Sequence, residues 1–156
     1  MIFVTTGTQV AFDRFIKIID HIAPQLGEEK IIAQICNGDY KPQNIESVNF
    51  VSPNEFNRLM SEARIIVSHA GMGTIISSMK MNKPIIIFPR IAALGEHRNE
   101  HQLATARKMK KYGYVYVAET AEELQNLLLN PQLESLHQIG EKASQELVDS
   151  LSDFIG

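Results

Sequence analysis

Short β-branched runs, each closed by a small or polar turn and followed by a helical pattern, recur along this chain and leave few folds open to it. Ile2–Thr5 is the first run and leads into the turn Thr6-Gly7-Thr8. Phe12, Phe15, Ile16 and Ile19 then recur at i, i+3, i+4 and i+7, the period of an amphipathic helix. Lys30–Ile35, Ser47–Val51, Arg64–Ser68, Ile85–Phe88 and Tyr114–Val117 read as five more strands. Between them, Ser52 and Glu55 form a capping box with Pro53 at the first helical position, and Phe56, Leu59, Met60 and Ala63 give that helix its apolar face. Asn82-Lys83-Pro84 stops another helix, and Thr120 with Glu123 caps a short one through Leu129. Strands alternating with helices predict an α/β fold, a Rossmann-like doubly wound parallel sheet of about six strands.

One core suffices for 156 residues, so residues 1–156 are expected to form a single domain. The last predicted helix, about 132–154, sets Leu136, Ala143, Leu147, Leu151 and Phe154 near one face. That stripe either closes the domain's own core or docks a partner. A net charge of −3 gives no basic footprint, which argues against nucleic acid. Cys36 is the only cysteine; it can neither form an internal disulfide nor build a metal site alone. The longest apolar run, Pro84 to Phe88, is far short of the ~20 residues that span a bilayer, and no export signal is visible. A cytoplasmic protein with no membrane span of its own is the expectation.

In a doubly wound sheet, ligands bind beyond the carboxyl ends of the strands, where the strand order reverses. Three polar segments follow strands one, four and five. Thr6-Gly7-Thr8-Gln9 is either a plain strand-to-helix turn or a close approach to an anion at a helix N-terminus. Ser68-His69-Ala70-Gly71-Met72-Gly73-Thr74 puts a histidine and two glycines between a strand and a helix, an arrangement suited to a diphosphate. It lacks the third glycine of the dinucleotide fingerprint, where Ile76 stands, and no P-loop is present. His69 alone could equally be a structural histidine.

The third segment runs from Pro89 and Arg90 through Glu96, His97, Asn99, Glu100, His101 and Gln102. Glu96, His97, Glu100 and His101 include ligand types, but their order is not that of a His-Glu-x-x-His helix, and no metal is expected. Asn, Gln and neutral His offer both donors and acceptors, which suits sugar hydroxyls.

Taken together, these segments resemble the C-terminal domain of glycosyltransferase family 28. The resemblance covers roughly residues 1–130 and is carried by Ile2 to Gln9 with Phe12-Asp13-Arg14-Phe15, by Ser68 to Thr74, and by Lys83-Pro84 with Asn99-Glu100-His101-Gln102. Within the family the chain looks like the small catalytic subunit of split UDP-sugar transferases. These include the PssE-type subunits of exopolysaccharide and capsule synthesis and the cytosolic subunit of the dolichol-linked UDP-GlcNAc transferase. The resemblance implies the C-terminal half of a GT-B enzyme, binding a UDP-sugar such as UDP-GlcNAc. A membrane-anchored partner subunit would bind a lipid-linked saccharide acceptor and hold this chain at the cytoplasmic face.

By the same resemblance, Thr6 to Gln9 and His69 to Thr74 face the diphosphate. Asn99, His101 and Gln102 face the donor sugar, and the Phe88 to Ile91 region, with Pro89 and Arg90, lies near the uracil. Ser68, Glu96 and His97 complete the expected binding set. Ser77 stands where many members carry a glutamate that binds ribose hydroxyls; a serine cannot chelate two hydroxyls as a carboxylate does. The chain has no Asp-x-Asp pair to hold a metal, and the resemblance implies transfer with inversion and without a metal or other cofactor. His97 and His101 are the candidate general bases here, although the resemblance assigns that role more naturally to the partner. The competing readings are a nucleotide-sugar-binding subunit with no transfer activity and a Rossmann-like enzyme using another nucleotide.

Overall fold

The computed structural model describes residues 1–97, 99–130 and 133–134. Six strands make one sheet: β1 (Ile2–Thr5), β2 (Ile31–Gln34), β3 (Glu46–Val48), β4 (Ile65–Ser68), β5 (Ile85–Ile87) and β6 (Tyr116–Val117). Their spatial order is β3-β2-β1-β4-β5-β6, and every pair is parallel. This is the Rossmann order, with its reversal between β1 and β4. The register sets Gln34, Thr5, Ser68 and Ile87 level across the sheet at the carboxyl ends of their strands.

Among the described residues four α-helices lie between strands, α1 (Asp13–Ile22), α2 (Pro53–Glu62), α3 (Met72–Lys80) and α4 (His101–Lys111), and α5 (Ala121–Leu128) follows β6. Strand residues alternate between two cores. Ile2, Val4, Ile65, Val67 and Ile86 pack with Phe15, Ile16 and Ile19 of α1 and with Leu124 and Leu128 of α5. Phe3, Ile66, Ile85 and Ile87 pack with Leu59 and Met60 of α2, Ile75 and Met79 of α3, and Met109 of α4. Both faces being covered, the central strands are continuous apolar runs rather than alternating ones. Phe15 is fully buried and stacks on Phe88 at 5.5 Å; truncating it to alanine would cost about 3–5 kcal/mol.

The caps form as the sequence predicts. Ser52 Oγ accepts from the Glu55 N–H at 3.1 Å, and Thr120 Oγ1 accepts from the Glu123 N–H at 3.1 Å. Lys83 has a function beyond ending α3: its Nζ donates to the carbonyls of Ser61 and Ala63, closing the end of α2. The third strand is shorter than the predicted Ser47–Val51 and is exposed throughout, because it is a sheet edge. The sixth is also trimmed, to Tyr116–Val117. The predicted final helix, about 132–154, falls almost wholly outside the described residues. No helix among the described residues is long and apolar enough to cross a membrane.

Candidate functional site

A cleft of about 940 Å³ opens at the carboxyl ends of β1 and β4, at the topological switch point. All three polar segments reach it: Thr6 to Val10 after β1, His69, Gly71, Gly73, Thr74 and Ser77 after β4, and Arg90, Gly95, Glu96, His97 and Gln102 after β5. The chain reverses at the tip of β1 because Gly7 takes φ +85° while its N–H bonds back to Thr5 Oγ1 at 3.1 Å. α3 begins at Gly71 without a side-chain cap, so the N–H groups of its first turn have no partner within the helix and face the cleft. Two glycine turns and a helix N-terminus therefore meet around one opening.

His69 lies between those turns. A Cβ on Gly7 would come within 2.7 Å of its Nε2, and one on Gly71 within 2.4 Å, so the imidazole fills the space both glycines leave open. Its Nδ1 is 3.1 Å from Gln102 Nε2. Burial, and then the nearby Arg90 charge, push the His69 pKa down to about 3 against the hydrogen bond to Gln102. At neutral pH the ring is uncharged.

Arg90 is 3% exposed and acts as a clamp. Its Nη1 donates to the Ala11 carbonyl at 2.8 Å, and its Nη2 donates to the carbonyls of Thr6 at 2.7 Å and Val10 at 2.6 Å. The guanidinium also lies 4.7 Å from the Phe12 ring centroid. Burial lowers the Arg90 pKa, and the Glu96 charge opposes that shift. Of the Phe88 to Ile91 region, expected near the uracil, Arg90 lines the cleft and the rest lies outside its lining. Phe88 is fully buried against Phe12 and Phe15, Pro89 is buried away from the cleft, and the Arg90 fork is committed to three carbonyls.

Glu96 is likewise committed. It accepts both donors of Arg14, at 2.8 and 2.9 Å, and the Ile91 N–H at 3.0 Å. Its carboxylate therefore ties the loop after β5 to α1 at the cleft wall. Gln102, also assigned to the sugar, is 8% exposed with both ends of its amide engaged: Oε1 accepts from the Arg90 N–H at 3.1 Å, and Nε2 meets His69. Asn99 turns its Oδ1 to the His101 N–H at 2.9 Å, at the start of α4, and neither residue lines the cleft. His97 does line it, with Nδ1 beside the Asn99 carbonyl.

Three residues of the second motif also fall outside the cleft lining. Ser68 is fully buried and donates to the His69 carbonyl, while Ala70 and Met72 pack into the core under α3. Conversely, the cleft includes residues the sequence did not single out: Gln34 at the end of β2, and Val51, Pro53, Phe56 and Asn57 at the start of α2. Their cap and apolar pattern explained them as helix and core. The available signal was positional, since the end of β3 lies on the same side of the sheet as the glycine turns.

A Rossmann-ordered sheet with phosphate-type turns at the switch point is the architecture of the nucleotide-binding half of GT-B glycosyltransferases. Residues 1–154 match the glycosyltransferase family 28 C-terminal domain, and the chain belongs to that family. It is 26% identical over 127 residues to the human UDP-N-acetylglucosamine transferase subunit ALG13, a match covering 74% of this chain and 11% of that protein. With the subunit of the same name from Candida glabrata it shares 25% over 117 residues, covering 74% of this chain and 57% of that one. The chain thus spans only part of the relatives it matches. Among solved structures, the NMR solution structure of ALG13 superposes with a TM-score of 0.64 at 19% identity, covering 94% of each chain. MurG of Acinetobacter baumannii superposes with a TM-score of 0.58 at 19% identity, covering 97% of this chain and 49% of that one. These likenesses extend the fold assignment.

Proposed function

We propose that this chain binds a UDP-sugar, UDP-GlcNAc or a related UDP-hexose, in the β1/β4 cleft. With a membrane-anchored partner it transfers the hexosyl unit to a polyprenyl-diphosphate-linked saccharide. The observation that carries the reading is the meeting of Gly7, Gly71 and the α3 N-terminus around His69. Two glycine turns and the uncapped N–H groups of a helix meet there, which suits a diphosphate. Val51, Pro53 and Phe56 offer an apolar wall for the base, with Asn57 beside it. The family and the names of the relatives support the donor class and the need for a second subunit.

Transfer develops negative charge on the departing UDP. The N–H groups of the α3 first turn and the loop after Gly7 meet that charge without reorganising. The chain has no Asp-x-Asp pair, and N–H groups rather than a divalent metal serve the diphosphate; displacement proceeds with inversion, in keeping with the family. The partner supplies the general base; His97, at the cleft, is the candidate on this chain, and His101 lies away from it. The partner also holds the chain at the cytoplasmic face of the membrane, with the segment 132–154 as its proposed contact.

A second reading, a nucleotide-sugar-binding subunit without transfer activity, draws on Glu96, whose carboxylate is engaged by Arg14. Calorimetric titration with UDP, UDP-GlcNAc, UDP-glucose and NAD tests the shared part: UDP compounds bind, and NAD binds at least about tenfold more weakly. Equal affinity for NAD, or no binding of any UDP compound, sinks both readings. Reconstitution with a membrane partner and a polyprenyl-linked acceptor separates them, since absence of product with every UDP-sugar leaves only the second.

A further inference from the structure

We infer that Gln102 is a positioning residue that fixes the tautomer of His69, so that the imidazole presents an Nε2–H donor to the ligand between Gly7 and Gly71. The inference rests on the cleft being the diphosphate site and deepens that reading. A backbone N–H can only donate, so the contact from Arg90 N at 3.1 Å requires the Gln102 oxygen to face it. The amide nitrogen must then be the end that meets His69 Nδ1 at 3.1 Å. An amide NH₂ only donates, so Nδ1 must be the bare, accepting nitrogen. A neutral imidazole has one ring proton, and it is left on Nε2.

The surroundings keep the ring neutral. Burial, the Arg90 charge and, more weakly, His97 all disfavour a second proton. Nε2 is the ring atom nearest both glycine turns, at the mouth of the uncapped α3 N-terminus. In this tautomer Nε2–H donates alongside the free N–H groups at the start of α3, which matches an anion. In the opposite tautomer a lone pair would face the phosphate oxygens and repel them. Gln102 thus acts on the diphosphate through His69, and the Arg90 N–H is what orients Gln102.

Long-range ¹H–¹⁵N correlation spectra of the full chain, labelled at histidine, read the tautomer directly and need no ligand. The expected result is His69 with a protonated Nε2 and a bare Nδ1. A protonated Nδ1, an even mixture of tautomers, or an imidazolium near neutral pH overturns the inference, and this holds whether or not any variant folds. Gln102→Glu supplies a carboxylate that accepts from Nδ1–H, so the tautomer should invert and the His69 pKa should rise. UDP affinity should then fall roughly tenfold or more at about pH 8 and recover toward pH 6, where the imidazolium again carries Nε2–H. Wild type should show no such recovery. An unchanged tautomer in a folded Gln102→Glu protein sinks the positioning role. A tautomer that inverts with no change in UDP affinity leaves that role intact and sinks the diphosphate reading instead.

Discussion

A Cβ on Gly71 would stand 2.4 Å from Nε2 of His69, inside any contact a real Cβ makes. Gly71 itself has φ −89° and ψ 131°, which any residue adopts, so alanine there strains no backbone and acts only by displacing the imidazole. Gly71→Ala should therefore lower UDP affinity roughly tenfold or more. Gly73 has nothing within 4 Å of its would-be Cβ and lies in α3, so Gly73→Ala should hold or raise the thermal midpoint by up to about 4 °C. Differential scanning calorimetry and UDP titration of the two variants check the contrast. Similar losses of affinity and stability in both would contradict it.

Arg90 holds three carbonyls of the loop after β1. Arg90→Met leaves all three without that donor and should destabilise the fold by about 3–5 kcal/mol in urea unfolding. Arg90→Lys keeps the charge but cannot fork, and should recover only part of the loss. Full recovery by lysine would show that charge alone matters.

His69 gives the protein an acid limb. Its pKa is about 6.5 unfolded and about 3 folded, so between those values the unfolded chain binds a proton that the native state excludes. Stability should be fully present above about pH 6.5 and fall as the pH drops toward 3, by up to about 1.4 kcal/mol per unit. His69→Gln should flatten that slope in pH-dependent urea midpoints. Asp20 acts lower still. Burial raises its pKa, but hydrogen bonds from Tyr40, Asn44 and Gln43 together outweigh that and hold it below the ordinary value, so its contribution is lost only beneath the usual carboxylate range.

Glu96 ties the loop after β5 to Arg14 and Ile91. Glu96→Ala should weaken UDP and UDP-sugar binding by the same factor, because it loosens the cleft wall rather than removing a sugar contact. The pair is partly exposed, so screening limits its worth to about 1–2 kcal/mol. A loss confined to the UDP-sugar would instead make Glu96 a sugar ligand.

Ser77 lines the cleft on α3. Ser77→Glu should raise the preference for UDP over 2′-deoxy-UDP, by roughly fivefold or more, as a carboxylate accepts from both ribose hydroxyls. An unchanged ratio means the ribose lies elsewhere.

The β-branched runs and the period of Phe12, Phe15, Ile16 and Ile19 made the sheet and α1 legible, because both depend on local spacing and burial. The caps at Ser52 and Thr120 were legible for the same reason: each bond spans three residues. β3 and β6 were overextended, since where an edge strand stops depends on its only neighbour. The glycine turns pointed to the cleft, as a strand-to-helix bend at the switch point is local chemistry set by a general topological rule.

What the residues by themselves determined was the Rossmann frame and the family. Which polar side chains engage one another around the cleft was decided only by the tertiary structure. Arg90 reaches Thr6 across 84 positions of chain, Arg14 reaches Glu96 across 82, and Gln102 reaches His69 across 33. A residue's composition and neighbours tell which bonds it can make. Burial next to distant groups that must be satisfied tells which ones it does make, and such groups engage Arg90, Glu96 and Gln102.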